Sequence, residues 1–202
     1  LITMLDNVLE HFIDSVKDKG GYSKAAYSAM RERSVGLGAM GFHSYLQKNN
    51  IPFESMYAAS FNNKAFTLIK DRALTATRKL GEERGEAPDM KGSGKRNAHL
   101  LAVAPNASSS IICGGTSPSV EPFRANVYTH KTLTGSFKVR NKYLDEAIAN
   151  VLPGKKTREK IWEDIEAHNG SVQHLDILPD DVKEVFKTAP EINQIWIIEH
   201  AK

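Results

Sequence analysis

Leu5, Val8, Leu9, Phe12 and Val16 recur at helical spacing, and Gly20-Gly21 marks where this first predicted helix stops. Ser23 is placed to cap a short helix running through Met30. The stretch from Ser34 to Asn49 also carries a helical pattern, with Gly36, Gly38 and Gly41 crowded into its first turns. Glycine is a poor helix former, so this cluster points to close helix packing or to a backbone that something approaches closely. The spacing Gly36-x-Gly38-x-x-Gly41 has the formal dinucleotide-binding order. No strand precedes it, and close helix packing is the better reading. Pro52 suits a first helical turn, and a long helix is predicted from about Ser55 to about Glu83, with Phe66, Ile69, Ala73 and Leu80 facing inward. Gly85 to Asn97 reads as loop.

Beyond this point the pattern changes period. His99 to Ala104 reads as a buried strand, and Gly114 to Pro118 as a turn. Ser119 to Phe123 is expected to be extended, Asn126 to Lys131 a strand, and Ser136 to Val139 a further short one. Asn141 to Val151 is helical and is broken by Pro153-Gly154. Thr157 is placed to cap a helix carrying Ile161, Trp162 and Ile165 on one side. Two more helices are expected to start at Pro179 and Pro190. Many helices with a few short buried strands between them predict a helix-rich α/β chain built around a parallel sheet or barrel.

With 202 residues, 41% of them hydrophobic and 25% charged, the chain has the composition of a soluble globular protein. A net charge of +3 without a dense basic block gives no reason to expect nucleic acid as a partner. No apolar run has the length of a membrane span, so no membrane is expected either. Cys113 is the single cysteine, which excludes an internal disulfide and fits a cytoplasmic setting. The seven histidines show neither HxxxH nor HxH spacing, so no metal site is expected. Both ends lie inside apolar helical patterns, as expected of a piece of a longer polypeptide or of one part of a split one.

The candidate chemistry sits in residues 104–112. An apolar run stops at Pro105, and a hydroxyl-rich turn, Asn106-Ala107-Ser108-Ser109-Ser110, leads into a short apolar segment. A Ser-rich helix start presents free backbone N–H groups and hydroxyl donors to an anion, which points to a phosphate. The same residues also serve as ordinary N-cap and turn formers. No Gly-x-Ser-x-Gly elbow surrounds the serines, so a nucleophile is not expected. Cys113 reads as a small buried residue. Glu121, between Val120 and Pro122, is either a buried functional acid or the partner of Arg124.

Several segments together resemble one family. Arg33-Ser34-Val35-Gly36-Leu37-Gly38-Ala39-Met40-Gly41-Phe42, Ile51-Pro52-Phe53-Glu54-Ser55, Ala104-Pro105-Asn106-Ala107-Ser108-Ser109-Ser110, Ser119-Val120-Glu121-Pro122-Phe123-Arg124-Ala125-Asn126-Val127-Tyr128-Thr129 and Asn169-Gly170-Ser171-Val172-Gln173 are similar, in this order, to motifs of class I ribonucleoside-diphosphate reductase large subunits, particularly phage-type ones. Thr188 to Trp196 resembles the helix that follows. The resemblance implies that residues 1–202 form a single partial domain, an incomplete part of a ten-stranded α/β barrel. It implies that Asn106, Ala107, Ser108 and Ser109 hold the substrate's diphosphate, with Ser110 extending the helix start. The family's radical-bearing cysteine, its reducing cysteine pair, its relay tyrosines and its C-terminal cysteine pair have no counterparts here. The chain is thus expected to hold no catalytic residue, to bind no cofactor itself and to be inactive alone. Its implied partners are a ribonucleoside diphosphate, the remaining segments of the large subunit and a small subunit whose metal centre generates the radical. ATP and deoxynucleotide effectors act on the complete enzyme. A nucleotide- or phosphate-binding module without chemistry, a structural remnant and a helical interaction protein are the competing readings.

Overall fold

The first helix shows how the hydrophobic pattern is modified by one charge. In the computed structural model, which describes residues 1–133 and 135–202 and only the backbone of Thr132, α1 spans Ile2–Val16 and buries Ile2, Asp6, Ile13 and Val16. Val8 and Phe12, expected inside, are exposed. The covered face is rotated because it is centred on a carboxylate, which hydrophobic periodicity does not register.

Two compact units divide the chain, Leu1–Gly38 with Asn63–Ala104, and Ala39–Asn62 with Pro105–Lys202. The first contains α1, α2 (Ser23–Glu32) and all but the opening turns of the long α4 (Met56–Arg84), whose bounds agree with the predicted helix. Ala73 and Leu80 of α4 pack with Ile2, and Val35, Leu37 and Leu100 close over them. Of the predicted helix over residues 34–49 only Phe42–Lys48 forms. Arg33 ends α2 in the left-handed region at φ 47°, and residues 34–41 run without helical turns. Leu37 pairs in parallel with Leu101, through Leu37 N–H to the Leu100 carbonyl at 2.9 Å and Ala102 N–H to the Leu37 carbonyl at 3.1 Å. A Cβ on Gly38 would stand 2.6 Å from the Ala102 carbonyl oxygen, and one on Gly36 3.0 Å from the Ala102 Cβ. These glycines serve close backbone approach, not helix packing. The expected strand from His99 to Ala104 is reduced to this bridge. Leu101 and Val103 are exposed, because only the face carrying Leu100 meets the core.

Asp6 is fully buried and accepts hydrogen bonds from Arg33 (Nε 3.1 Å, Nη2 3.0 Å), Arg84 (3.0 Å) and Asn97 (3.1 Å). Asn97 is fixed in turn by Thr77, whose hydroxyl donates to its side-chain oxygen at 3.0 Å. Burial pushes the Asp6 carboxyl upward, but the Arg33 charge and the hydrogen bonds from Arg33 and Asn97 outweigh it and hold the group below its ordinary value.

The second unit contains α3 (Phe42–Lys48), α5 (Ala107–Ile112), strands β1 (Val127–Thr132) and β2 (Gly135–Arg140), and α6 (Lys142–Val151), α7 (Lys155–Ala167), α8 (Asp180–Val185) and α9 (Gln194–Ala201). The two strands pair antiparallel, from Val127 opposite Arg140 to Thr132 opposite Gly135. The parallel arrangement expected of the strands is therefore not what β1 and β2 form. Their short separation permits only a hairpin, since a parallel pair needs a long crossover. The core gathers Leu144 and Ile148 of α6, Trp162 and Ile165 of α7, Val172 and Phe186. Asn126 is buried at its edge and donates to the carbonyls of Gly170 (3.0 Å) and Phe186 (2.8 Å). The proline and threonine signals misplace two starts. α7 begins at Lys155 with Gly154 as N-cap, so Thr157 lies inside it. α9 begins at Gln194, capped by the Asn193 side chain, because Glu191 instead accepts the Thr188 amide and hydroxyl, both at 2.7 Å, in a preceding turn. No helix among the described residues is long and apolar enough to cross a membrane.

The Asp6 cluster makes a definite prediction. Asp6→Asn leaves the buried Arg33 with only the half-buried Glu10, 2.6 Å away, as counter-charge and should cost about 3 kcal/mol. The depressed carboxyl stabilises the fold fully above its ordinary value of 3.8 and loses that contribution as pH falls through its lower native value. Denaturant unfolding of the two proteins as a function of pH should therefore give curves that converge in acid.

Candidate functional site

Proline at 105 and a tight turn set the start of α5. The Ala107 amide is used by the Pro105 carbonyl at 2.6 Å, and Asn106 takes the N-cap position with φ −68° and ψ 51°. The helix then runs for six residues. At such a start the amides of Ser108 and Ser109 have no intrahelical acceptor. Both serines are exposed, as is Ala107, and Asn106 is half-buried. Ser110 is turned the other way. It is buried, its hydroxyl donates to the Ala107 carbonyl at 3.1 Å, and its carbonyl accepts the Thr116 amide at 3.1 Å. The structure thus gathers Asn106, Ala107, Ser108 and Ser109 at one turn and uses the Ser110 side chain to hold that turn together.

Cys113 ends α5 and is exposed, contrary to the expected burial. Gly114 (φ 87°) and Gly115 (φ 66°) reverse the chain directly after it and leave the thiol on the outside of the turn. Glu121 is exposed, while Val120 and Pro122 on either side are buried. It is therefore not a buried acid, and among the described residues no ion pair joins it to Arg124. The backbone bends at residues 118–121, where an extended run was expected, and buries Ser119, Val120 and Pro122 while Glu121 faces out.

The frame around α5 comes from residues that the sequence did not single out. Ser44 and Ser117 exchange bonds: the Ser117 amide donates to Ser44 Oγ at 2.8 Å, and the Ser44 amide to Ser117 Oγ at 3.2 Å. Gly41, at φ 84°, donates its amide to the Ser117 carbonyl at 2.7 Å, and a Cβ there would meet Thr116 Oγ1 at 2.6 Å. His43 is fully buried, and its Nδ1 accepts the Phe123 amide at 2.9 Å. The proton of the neutral ring therefore sits on Nε2, which the Val185 carbonyl faces. Burial drives this imidazole down to about 3, against the weaker opposing pull of that carbonyl. Gln47, one turn on, accepts from Asn141 Nδ2 at 2.9 Å. The signal available in the sequence was the spacing of His43, Ser44 and Gln47 on a short helix, three polar residues where a core face would be apolar.

A shallow cavity next to the Gly114-Gly115 turn is lined by Phe123, Asn126, Tyr128, Arg140 and Lys142. Its two cations are already engaged, Arg140 by Glu159 in a bidentate pair at 2.7 and 3.0 Å and Lys142 by the Gly114 carbonyl at 3.3 Å. Elsewhere in this unit Asp164, His168 and His174 come together, a group with neither HxxxH nor HxH spacing in the sequence.

A family model described as the ribonucleotide reductase barrel domain matches residues 1–94 and 88–202. The ribonucleoside-diphosphate reductase large subunit of Invertebrate iridescent virus 3 is 48% identical over 196 residues, 97% of this chain and 31% of the viral protein. That of Invertebrate iridescent virus 6 is 48% identical over 203 residues, covering 100% of this chain and 21% of its own length. Among solved structures, the Actinobacillus ureae class Id ribonucleotide reductase alpha subunit superposes with a TM-score of 0.85 at 41% identity, over 97% of this chain and 35% of that one. The chain thus spans a third or less of the length of the two viral relatives and about a third of the solved subunit.

His43 governs the acid response of this unit. A histidine held neutral far below its ordinary 6.5 contributes stability that is complete above pH 6.5 and is lost as pH falls from there toward about 3. The slope is roughly 1.4 kcal/mol per pH unit. His200, also pushed down by burial, adds a slope of the same sign. His43→Gln should flatten the stability profile between pH 6.5 and 4.5 without abolishing it, as read by denaturant midpoints at each pH. An unchanged slope would contradict the buried neutral imidazole.

Proposed function

The chain belongs to the ribonucleotide reductase barrel-domain family, and on that premise we propose that it supplies the diphosphate-holding part of a ribonucleoside-diphosphate reductase large subunit. The observation that carries this reading is the pair of exposed serines, Ser108 and Ser109, in the first turn of a helix whose N-cap side chain accepts no amide of that helix. Amides and hydroxyls in that arrangement suit the charged oxygens of a diphosphate. Asn106 and Ala107 complete the cradle, and Ser110 supports it from behind. The loop at 104–112 and both compact units are read as parts of one partial barrel domain over residues 1–202.

The complete enzyme replaces the ribose 2′-hydroxyl with hydrogen by a thiyl-radical mechanism. This chain has no cysteine in a matching position, so the radical-bearing and reducing cysteines come from the remaining segments of the large subunit. The radical itself originates in the metal-containing small subunit, and ATP and deoxynucleotides act as effectors on the whole assembly. The cytoplasm, where ribonucleotides are reduced, is the proposed compartment.

Mixing the chain with the remaining large-subunit segments and the small subunit tests this directly. Deoxyribonucleoside diphosphate should form in the mixture and not with the chain alone. Replacing both serines, Ser108→Ala with Ser109→Ala, removes two hydrogen bonds to a charged group, each worth about 1.5–3 kcal/mol. KM should therefore rise at least tenfold while the fold is retained. A folded double variant with an unchanged KM would contradict the assignment. Diphosphate binding without activity in any mixture would leave a phosphate-binding module.

A further inference from the structure

We propose that Asp164, His168 and His174 form a divalent transition-metal site, of the kind that takes Zn²⁺, at the C-terminal end of α7. One ligand atom from each residue lies within 4.8 Å of the other two. Asp164 Oδ1 is 3.2 Å from His168 Nδ1, and its Oδ2 is 3.2 Å from His174 Nε2. Ligand atoms around a tetrahedral Zn²⁺ bonded at 2.0–2.2 Å stand about 3.4 Å apart, so each imidazole is near coordination spacing from one carboxylate oxygen.

The chain is built to bring them there. Asp164 and His168 are one helical turn apart. Asn169 (φ 57°) and Gly170 (φ 83°) then reverse the backbone through two successive left-handed residues. That reversal lays the His174 ring over His168, with centroids 3.7 Å apart and planes 23° from parallel. Gly170 is fixed in place, since a Cβ there would meet the Ala125 Cβ at 2.6 Å. The last turn of α7 carries no basic side chain of its own, and its negative dipole end, where His168 Nδ1 lies 2.9 Å from the Asp164 carbonyl oxygen, favours a cation. Two imidazoles and one carboxylate suit Zn²⁺, Co²⁺ or Ni²⁺ and not Mg²⁺ or Ca²⁺, which prefer all-oxygen shells. Three protein ligands leave a position open to water. The bound ion clamps residues 171–175 to α7, beside the Gly170 carbonyl that receives Asn126.

The test is calorimetric titration of the metal-stripped chain with Zn²⁺, and of His174→Ala and His168→Gln, with Co²⁺ absorption as a spectroscopic readout of imidazole ligation. One ion should bind per wild-type chain and raise its Tm. Each variant should lose affinity by about tenfold or more, the order that even supporting residues of metal sites carry. His168→Gln keeps an exposed polar side chain at the helix end, so it reports even where His174→Ala does not fold. Absence of Zn²⁺ uptake, or wild-type affinity in a folded variant, overturns the proposal and leaves a hydrogen-bonded cluster only.

Discussion

Bare backbone at three glycines is the constraint on which the rest of this chain depends. Gly36 and Gly38 let residues 35–38 lie against Ala102, where any side chain would collide at 3.0 Å or less. Gly41 turns with φ 84° under Thr116 and opens α3. In the first unit this approach creates the parallel pairing of Leu37 with Leu101 that the core of Ile2, Ala73 and Leu80 backs. In the second it brings Ser44 to Ser117 and so fixes the segment that follows α5. A helix through these residues, which their periodicity favours, would forfeit both sets of contacts.

Each unit is then fixed by one buried polar group with a full complement of partners. Asp6 is surrounded by Arg33, Arg84 and Asn97, and it holds Arg33 in the left-handed conformation that ends α2. His43 takes the Phe123 amide and so anchors the Ser119–Phe123 segment to α3. Such groups are costly when unsatisfied and therefore specify one arrangement over its competitors. The exposed serines of α5 rest on this scaffolding. Ser110 ties their turn to Thr116, and Thr116 adjoins the Ser44–Ser117 exchange.

The sequence made the long α4 and the helix at 142–151 readable because each has a sustained apolar period and a clear stop signal. The β1–β2 segments were also recognisable, but their direction was not, since it depends on pairing and not on composition. Residues 34–41 misled because periodicity counts apolar positions and cannot see a backbone contact 60 residues away. The rotated face of α1 was hidden for a related reason: its centre is Asp6, whose burial follows from cations distant in the chain. At the candidate site, the turn that opens α5 was legible in its small and hydroxyl-bearing residues. The inward turn of Ser110, the exposure of Cys113 and the roles of His43 and Ser44 were not, because each depends on tertiary partners.

The most direct measurement of the central claim is an amide-resolved NMR titration of this chain with a ribonucleoside diphosphate, set against the corresponding nucleoside. The account predicts that the diphosphate shifts the Ser108 and Ser109 amides first, that Asn106 and Ala107 follow, and that the nucleoside leaves all four in place. Shifts confined to other regions, or equal shifts with the nucleoside, would contradict a diphosphate cradle at the start of α5.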